Sequence, residues 1–332
     1  VVEGFVTATN KYYPQYMREL LGMAHGANIP FHEMFLISYG VELYALTANK
    51  TKNEADSCSD ILVNQPKKKA VIIGHNEDNS PLIQNKSYIL TASVLEDGLI
   101  LEQFTVYCYP GILPGNAFGF NNHGIITTVN GLYPKSVLIG RVGRSFINRA
   151  MLASKNLTDA LSKAKTPGTY GFSCNIGIFN GAPDSRPHLY NIEVAPDVAA
   201  QVTITDVIEV LPSYEKQQSP AMDNVIAGNY FHVNMYRRLV LPEISDHITS
   251  SRHRTARIQQ YKDPNSADDV KRILGDSKDN KYPIYRSPRP SDNETTLATV
   301  LFDLQQCVMS VYTDRPSSSI GPLFTLNLPC SR

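Results

Sequence analysis

Between Tyr13 and Leu46 the apolar positions recur every three to four residues: Met17, Leu20, Leu21, Met23 and Ala24, then Phe35, Ile37, Val41 and Leu43. That spacing is a helix's, and the intervening Gly26-Ala27-Asn28-Ile29-Pro30 breaks it, so the segment predicts a helical hairpin. Thr47 to Ser57 is polar and aperiodic, the texture of an exposed, cleavable loop, so a cut between Ser57 and Cys58 is expected to fall on a loop tip. From Cys58 onward short β-type runs are separated by Gly, Asn and Pro: Val71-Ile72-Ile73, Tyr88 to Val94, Leu99 to Tyr109, Ala117 to Asn130. A helix is predicted from about Arg144 to Ala164, followed by strands at Asn175 to Phe179 and Leu189 to Val194. Ser266 reads as the N-cap of a helix over Ala267 to Leu274, with Asp268 and Asp269 in the turn that the helix dipole favours. The Pro-rich stretch Tyr282 to Glu294 is a loop, because the apolar run Leu297 to Tyr312 still needs a sheet to join. Strands, a helical layer and strands again predict an α+β fold, with helices on both faces of stacked antiparallel sheets.

Composition narrows the function classes. The chain has 332 residues with 42% hydrophobic content, enough for one large core. Lys plus Arg and Asp plus Glu both number 31, and Lys67-Lys68-Lys69 reads as a solvated turn, so no basic footprint for nucleic acid is present. No apolar stretch reaches about 18 residues, so no membrane span is predicted. Cysteines at 58, 108, 174, 307 and 330 form no CxxC pair and signal neither a zinc site nor a disulfide framework, which favours a cytoplasmic setting. Sequons at Asn49, Asn85, Asn156 and Asn293 keep a secretory or vesicular alternative open.

Three places carry candidate chemistry. Cys58, beside Ser59 and ahead of Ile61-Leu62-Val63, is a thiol between a loop and a strand, a position that also suits an inert buried cysteine. Gly74-His75-Asn76-Glu77-Asp78 follows a buried strand. A metal set of His75, Glu77 and Asp78 is disfavoured because adjacent strand residues point to opposite faces, so no metal is expected. Ala227-Gly228-Asn229-Tyr230-Phe231-His232 and Tyr312-Thr313-Asp314-Arg315-Pro316 each read singly as a turn after an apolar strand.

Taken together and in order, these pieces resemble the acyl-coenzyme A:6-aminopenicillanic acid acyltransferase family. The likeness extends through Met17 to Ala27, Cys58-Ser59, Gly74 to Asp78, Gly115 to Gly124, Asn130-Gly131-Leu132, Arg149, Gly228 to Phe231, Ser250-Ser251-x-x-Arg254 and Arg315-Pro316. The resemblance implies an N-terminal-nucleophile αββα sandwich and a precursor that cuts itself between Ser57 and Cys58. Residues 1–57 would then form a helical pro-segment or small subunit, and 58–332 the catalytic part, folding together as one domain. By position, Cys58 would be the nucleophile, Asp78 and Arg315 a supporting buried charge pair, and Asn229 an oxyanion-hole donor; Ser59, Asp60, His75 and Glu77 are candidate pocket residues. The family usually has glycine before the cysteine, and Ser57 departs from that pattern.

The implied chemistry is coherent. Cleavage frees an α-amine of reference pKa about 7.7–8.0, able to take the thiol proton within the same residue. The thiolate attacks a carbonyl, a thioester acyl-enzyme forms, and water or an amine resolves it. The expected substrate is a small N-acyl amine such as β-alanyl-dopamine or β-alanyl-histamine. The expectation includes no cofactor, and its partners are the small-molecule amide, the chain's own N-terminal segment and, as in related folds, a second copy in a homodimer. Acyl transfer from coenzyme A and an uncleaved, silent binding protein are the alternatives. No GxGxxG or P-loop marks a nucleotide site, and no papain-like cysteine signature is present.

Overall fold

The computed structural model describes residues 1–47, 57–180, 187–196, 201–208 and 224–330; the predicted loop over Thr47 to Ser57 lies, apart from its two ends, outside them. Four helices open the chain: α1 (Val2–Tyr12), α2 (Pro14–Ala27), α3 (Phe31–Ser38) and α4 (Gly40–Thr47). Pro14 starts α2 where its missing N–H costs nothing, and Asn28 ends it in the left-handed conformation that halts a helix. The predicted hairpin is therefore part of a four-helix run.

The strands are β1 (Ser57–Gln65), β2 (Ala70–Asn79), β3 (Tyr88–Glu96), β4 (Leu99–Cys108), β5 (Phe118–Asn121) and β6 (Ile125–Gly131). Helices α5 (Arg144–Leu152) and α6 (Leu157–Ala164) occupy the predicted long helix, which breaks where Asn156 caps α6 by accepting from the Asp159 amide. There follow β7 (Phe172–Ile178), β8 (His188–Ala195), β9 (Gln201–Ile208), β10 (Asn224–Ala227), β11 (Asn229–His232), α7 (Ser245–Ile258) and α8 (Ala267–Leu274). The chain ends on β12 (Thr295–Asp303), β13 (Val308–Tyr312) and β14 (Phe324–Asn327). Ser266 caps α8 as its sequence predicts, accepting from the Asp269 amide at 3.2 Å.

The strands form two sheets, ordered β11-β1-β2-β12-β13-β14 and β10-β9-β8-β7-β6-β5-β4-β3. All pairings are antiparallel except β9 with β10. Three cores separate four layers. Phe35, Tyr39, Phe146 and Ile147 pack on Val129, Phe172 and Ile176 of the eight-stranded sheet. Leu62, Val71 and Ile73 meet Phe118, Ile126 and Leu189 between the sheets. Ile61, Val63 and Ile72 face Ile258, Val270 and Leu274 of α7 and α8. The architecture is the expected αββα sandwich. Gly74 is essential to its outer layer, since a Cβ there would lie 2.4 Å from Val270 Cγ1 and force α8 off β2.

One expectation is corrected here. Cys307 and Cys330 form a disulfide, because the β13–β14 hairpin brings residues 23 apart in sequence to a Cα separation of 6.1 Å. Cys58, Cys108 and Cys174 are free and buried.

Candidate active site

The register of β1 against β2 builds the site. Ser57 pairs with Asp78, Cys58 with Glu77, Ser59 with Asn76 and Asp60 with His75. Alternation then sorts these residues onto two faces. Cys58, Asp60, His75 and Glu77 share the inter-sheet face with Leu62 and Ile73, while Ser57, Ser59, Asn76 and Asp78 share the α7–α8 face with Ile61 and Ile72. The predicted loop-tip position of Ser57 and Cys58 is thereby corrected: both are about 2% exposed and already within β1.

On the inter-sheet face His75 links two carboxylates. Its Nδ1 lies 2.8 Å from Asp60 Oδ1 and its Nε2 2.8 Å from Glu77 Oε2. Asp60 also accepts from Thr128 Oγ1 at 2.7 Å and from Asn130 Nδ2. Tyr109 donates its hydroxyl to Glu77 Oε1 at 2.6 Å, and the Cys58 thiol lies 4.0 Å from Glu77 Oε2. Burial alone would strip the proton from His75, but Asp60 foremost, then hydrogen bonds to Cys58 and Glu77, raise its pKa well above the ordinary value. Burial pushes the Cys58 thiol far up, Glu77 adds to that, and His75 opposes both.

The other face holds a second buried charge cluster. Asp78 accepts from Thr296 Oγ1 at 2.6 Å, and burial raises its pKa to about 6 against the pull of Arg286 and then Arg254. Arg286 bonds Asp292 at 2.5 Å and Glu294 at 2.6 Å, and Glu294 accepts from the Ser57 hydroxyl at 3.1 Å. Burial lifts Glu294 to about 8 despite Arg286. The fully buried Arg254 guanidinium donates to the Cys58 carbonyl oxygen, to Ser59 Oγ at 3.0 Å and to Asn234 Oδ1 at 2.8 Å. Asn234 Oδ1 also accepts from the Cys58 backbone nitrogen at 2.8 Å, and its Nδ2 donates to the Gly131 carbonyl.

Two residues expected at the site are elsewhere. Asn229 pairs with Val63, five residues along β1 from Cys58 and so about 16 Å away at about 3.3 Å per residue; it accepts from Gln65 instead. The asparagine at the cysteine is Asn234, in the irregular segment just past β11. Arg315 is exposed and lies over the Tyr285 ring, 5.6 Å from its centroid, whereas the arginines facing Asp78 are Arg286 and Arg254. Sequence reading missed Asn234, Arg286 and Glu294. It did single out Ser250-Ser251-x-x-Arg254, whose one-turn spacing on α7 sets Ser250 and Arg254 on the same face, toward Arg286 and Cys58.

Ser57, where the family usually has glycine, is the first residue of β1.

Cys58 and Glu77 open onto a cavity of about 390 Å³, a size suited to a small organic molecule. Its lining also includes Ser38, Val41 and Glu42 of α3 and α4, Arg144 and Asn148 of α5, and Lys86 and Tyr109. Glu42 accepts from the Arg144 amide at 2.8 Å, and burial raises its pKa against the Arg144 guanidinium. Cys58, His75 and Glu77 place one ligand atom each within 4.8 Å of one another, a set that a metal-binding reading would use in place of His75, Glu77 and Asp78. Asp78 is excluded from it by the strand alternation. Among the described residues no helix is long and apolar enough to cross a membrane.

The chain is similar to known proteins along most of its length. The profile of the acyl-coenzyme A:6-aminopenicillanic acid acyl-transferase family matches residues 63–318. The beta-alanyl-dopamine/carcinine hydrolase of Drosophila melanogaster is 31% identical over 319 residues, covering 92% of this chain and 78% of that protein. Among solved structures, a mutant conjugated bile acid hydrolase from Clostridium perfringens aligns over 83% of this chain and 98% of its own, with a TM-score of 0.41 and 11% identity.

Proposed function

The chain belongs to the acyl-coenzyme A:6-aminopenicillanic acid acyl-transferase family, and on that premise we propose that it is a self-processing N-terminal cysteine amidohydrolase acting on small N-β-alanyl amines. The observation that carries this reading is the way Cys58 is held. Its nitrogen is fixed by Asn234, its carbonyl by Arg254, and its sulfur faces a cavity of substrate size.

Processing begins with attack of Cys58 Sγ on the Ser57 carbonyl carbon. The Ser57–Cys58 C–N bond breaks, the nitrogen takes a proton and becomes the α-amine, and water cleaves the resulting thioester. Asn234 already accepts from that nitrogen, so the new amine stays beside the thiol it must deprotonate. Asp78 Oδ2 accepts no hydrogen bond among the described residues and is an acceptor on the Ser57 side. In turnover the amine takes the thiol proton, Sγ attacks the substrate carbonyl, the biogenic amine leaves protonated, and water resolves the acyl-thioester. The protonated His75 beside Sγ favours the thiolate electrostatically. Residues 1–57 remain with the body, since α3 and α4 supply a wall of the cavity.

The Cys307–Cys330 disulfide favours the secretory or vesicular setting over the cytoplasmic one. A second reading, acyl transfer to an amine acceptor, draws support from the family's description.

The test is the intact mass of purified protein beside a Cys58→Ala variant, followed by turnover of N-β-alanyl-dopamine. Two fragments, 1–57 and 58–332, only in the unmutated protein, together with amine release, are expected. A single stable chain that releases no amine would instead support a silent binding protein, and Ser57→Gly then separates a stalled precursor from an inert relative.

A further inference from the structure

We propose that Glu77 selects the acyl half of the substrate, accepting the ammonium group of an acyl chain whose carbonyl carbon sits on Cys58. This rests on the amidohydrolase reading above and names what that site recognises.

Three carboxylates lie near the thiol or line its cavity, and geometry separates them. Asp60 is fully buried and committed to His75, Thr128 and Asn130, and it does not line the cavity. Glu42 also lines the cavity, but its Oε1 is taken by the Arg144 amide and the Arg144 guanidinium acts on it. Glu77 lines the cavity next to the nucleophile, its Oε2 4.0 Å from Cys58 Sγ. In a β-amino acyl group two methylenes separate nitrogen from carbonyl carbon, a span of about 3–4 Å with bonds near 1.5 Å. With the carbonyl carbon bonded to Sγ, the ammonium therefore falls within reach of the Glu77 carboxylate.

Charge points the same way. Asp60 and Glu77 flank a single imidazole, so Glu77 shares that histidine's charge with a second carboxylate. The carboxylate is also rigid, with His75 on Oε2 and the Tyr109 hydroxyl on Oε1, and is prepared to receive a cation without reorganising. Glu77 opposes ionisation of the thiol, so a bound ammonium that neutralises it also releases the nucleophile. A neutral acyl chain of the same length loses on both counts.

Binding and turnover test separate things. Uncleaved Cys58→Ala protein is titrated calorimetrically with N-β-alanyl-dopamine and with N-butanoyl-dopamine, its uncharged isostere, and again after adding Glu77→Gln. A preference of at least about tenfold for the cationic ligand, lost in the double variant, is expected for a charge-assisted contact. Equal affinities, no binding of either ligand, or a preference that survives Glu77→Gln overturns the assignment. Should Glu77→Gln fail to fold, N-acetyl-β-alanyl-dopamine removes the same charge from the ligand side, and binding equal to that of the free amine overturns it. In turnover by the unmutated enzyme, equal kcat/KM on the β-alanyl and butanoyl amides sinks Glu77 recognition and leaves the hydrolase. No hydrolysis of either, with the binding preference intact, sinks the hydrolase and leaves the recognition.

Discussion

Two buried charge clusters sit back to back on the same pair of strands, and they are built to opposite purposes. On the inter-sheet face, Asp60, His75 and Glu77 lie beside a thiol that opens to a cavity, with one imidazole linking the two carboxylates. On the helix face, Arg254 and Arg286 are set among Asp78, Asp292 and Glu294; Arg254 donates to the Cys58 carbonyl and Ser59 at the start of β1, and Arg286 to Asp292 and Glu294, the latter accepting from Ser57. One cluster borders a cavity, where we propose it meets a ligand; the other holds a peptide bond in place. A period of two residues separates these roles, so a one-residue slip of β1 would exchange them.

If the helix-face cluster is structural, removing its central cation should have the largest effect on stability. Arg286→Met leaves Asp292, Glu294 and Asp78 without their shared partner and should cost about 3–5 kcal/mol, read from urea unfolding of Cys58→Ala protein so that processing does not interfere. Loss below about 1 kcal/mol would mean the cluster is far wetter than its burial indicates.

Next in size is the residue that ties the two faces together. Asn234→Ala removes the acceptor of the Cys58 nitrogen and of Arg254, and turnover should fall by about 100-fold through misplacement of the amine and thiol. Asn229→Ala, on the same stretch of chain but opposite Val63, should leave kcat within about twofold. Reversal of that order would restore Asn229 to the site.

The two asparagines also show how far the sequence could be read. The apolar run Val71-Ile72-Ile73 marks β2 as a strand buried on both faces, and strand alternation alone divides His75 and Glu77 from Asn76 and Asp78. What a period cannot supply is partner identity across 150 residues or more. Asn234 lies beyond the end of β11, where no repeat fixes its direction, while Asn229 matched the expected pattern and points elsewhere. Arg286 is in the Pro-rich stretch that reads only as a loop, and charged residues are seldom buried unless paired, so only the fold reveals its carboxylates. Helix α7 escaped for a related reason: Ser245–Ile258 is mostly polar, and its buried side includes Ser250, Ser251 and Arg254 in place of an apolar stripe. The disulfide needed the β13–β14 register to pair Cys307 with Cys330.

Acid and base should tell the helix-face cluster from a separate buried pair, Glu193 with His232, whose Oε1 and Nε2 lie 3.1 Å apart. Glu294 has a folded pKa of about 8, above its ordinary 4.5, so the folded chain binds this proton more tightly than the unfolded one. Its contribution is fully present below about pH 4.5 and is lost as pH rises through about 8. Glu193, which burial would raise but His232 holds down to about 2, behaves oppositely: its contribution is present above about pH 4.5 and is lost as pH falls through about 2. Glu294→Gln should therefore flatten the decline in stability between pH 5 and 8 and leave the acid limb unchanged, measured as the urea midpoint across pH. An unaltered decline would place the titrating proton elsewhere in the cluster.

The smallest effect belongs to Arg315, the arginine that sequence pattern pairs with Asp78. Its side chain is exposed and its contact is with the face of Tyr285, an interaction of about 0.5–1 kcal/mol at such a site. Asp78 is held instead through Thr296, with Arg286 and Arg254 as the cations that act on it. Arg315→Gln should consequently change stability by no more than about 1 kcal/mol and leave both the expected cleavage before Cys58 and kcat unaltered. A processing defect in Arg315→Gln would require the cleaved enzyme to draw this arginine inward toward the new N-terminus, making the division between the two faces a property of the uncut chain alone.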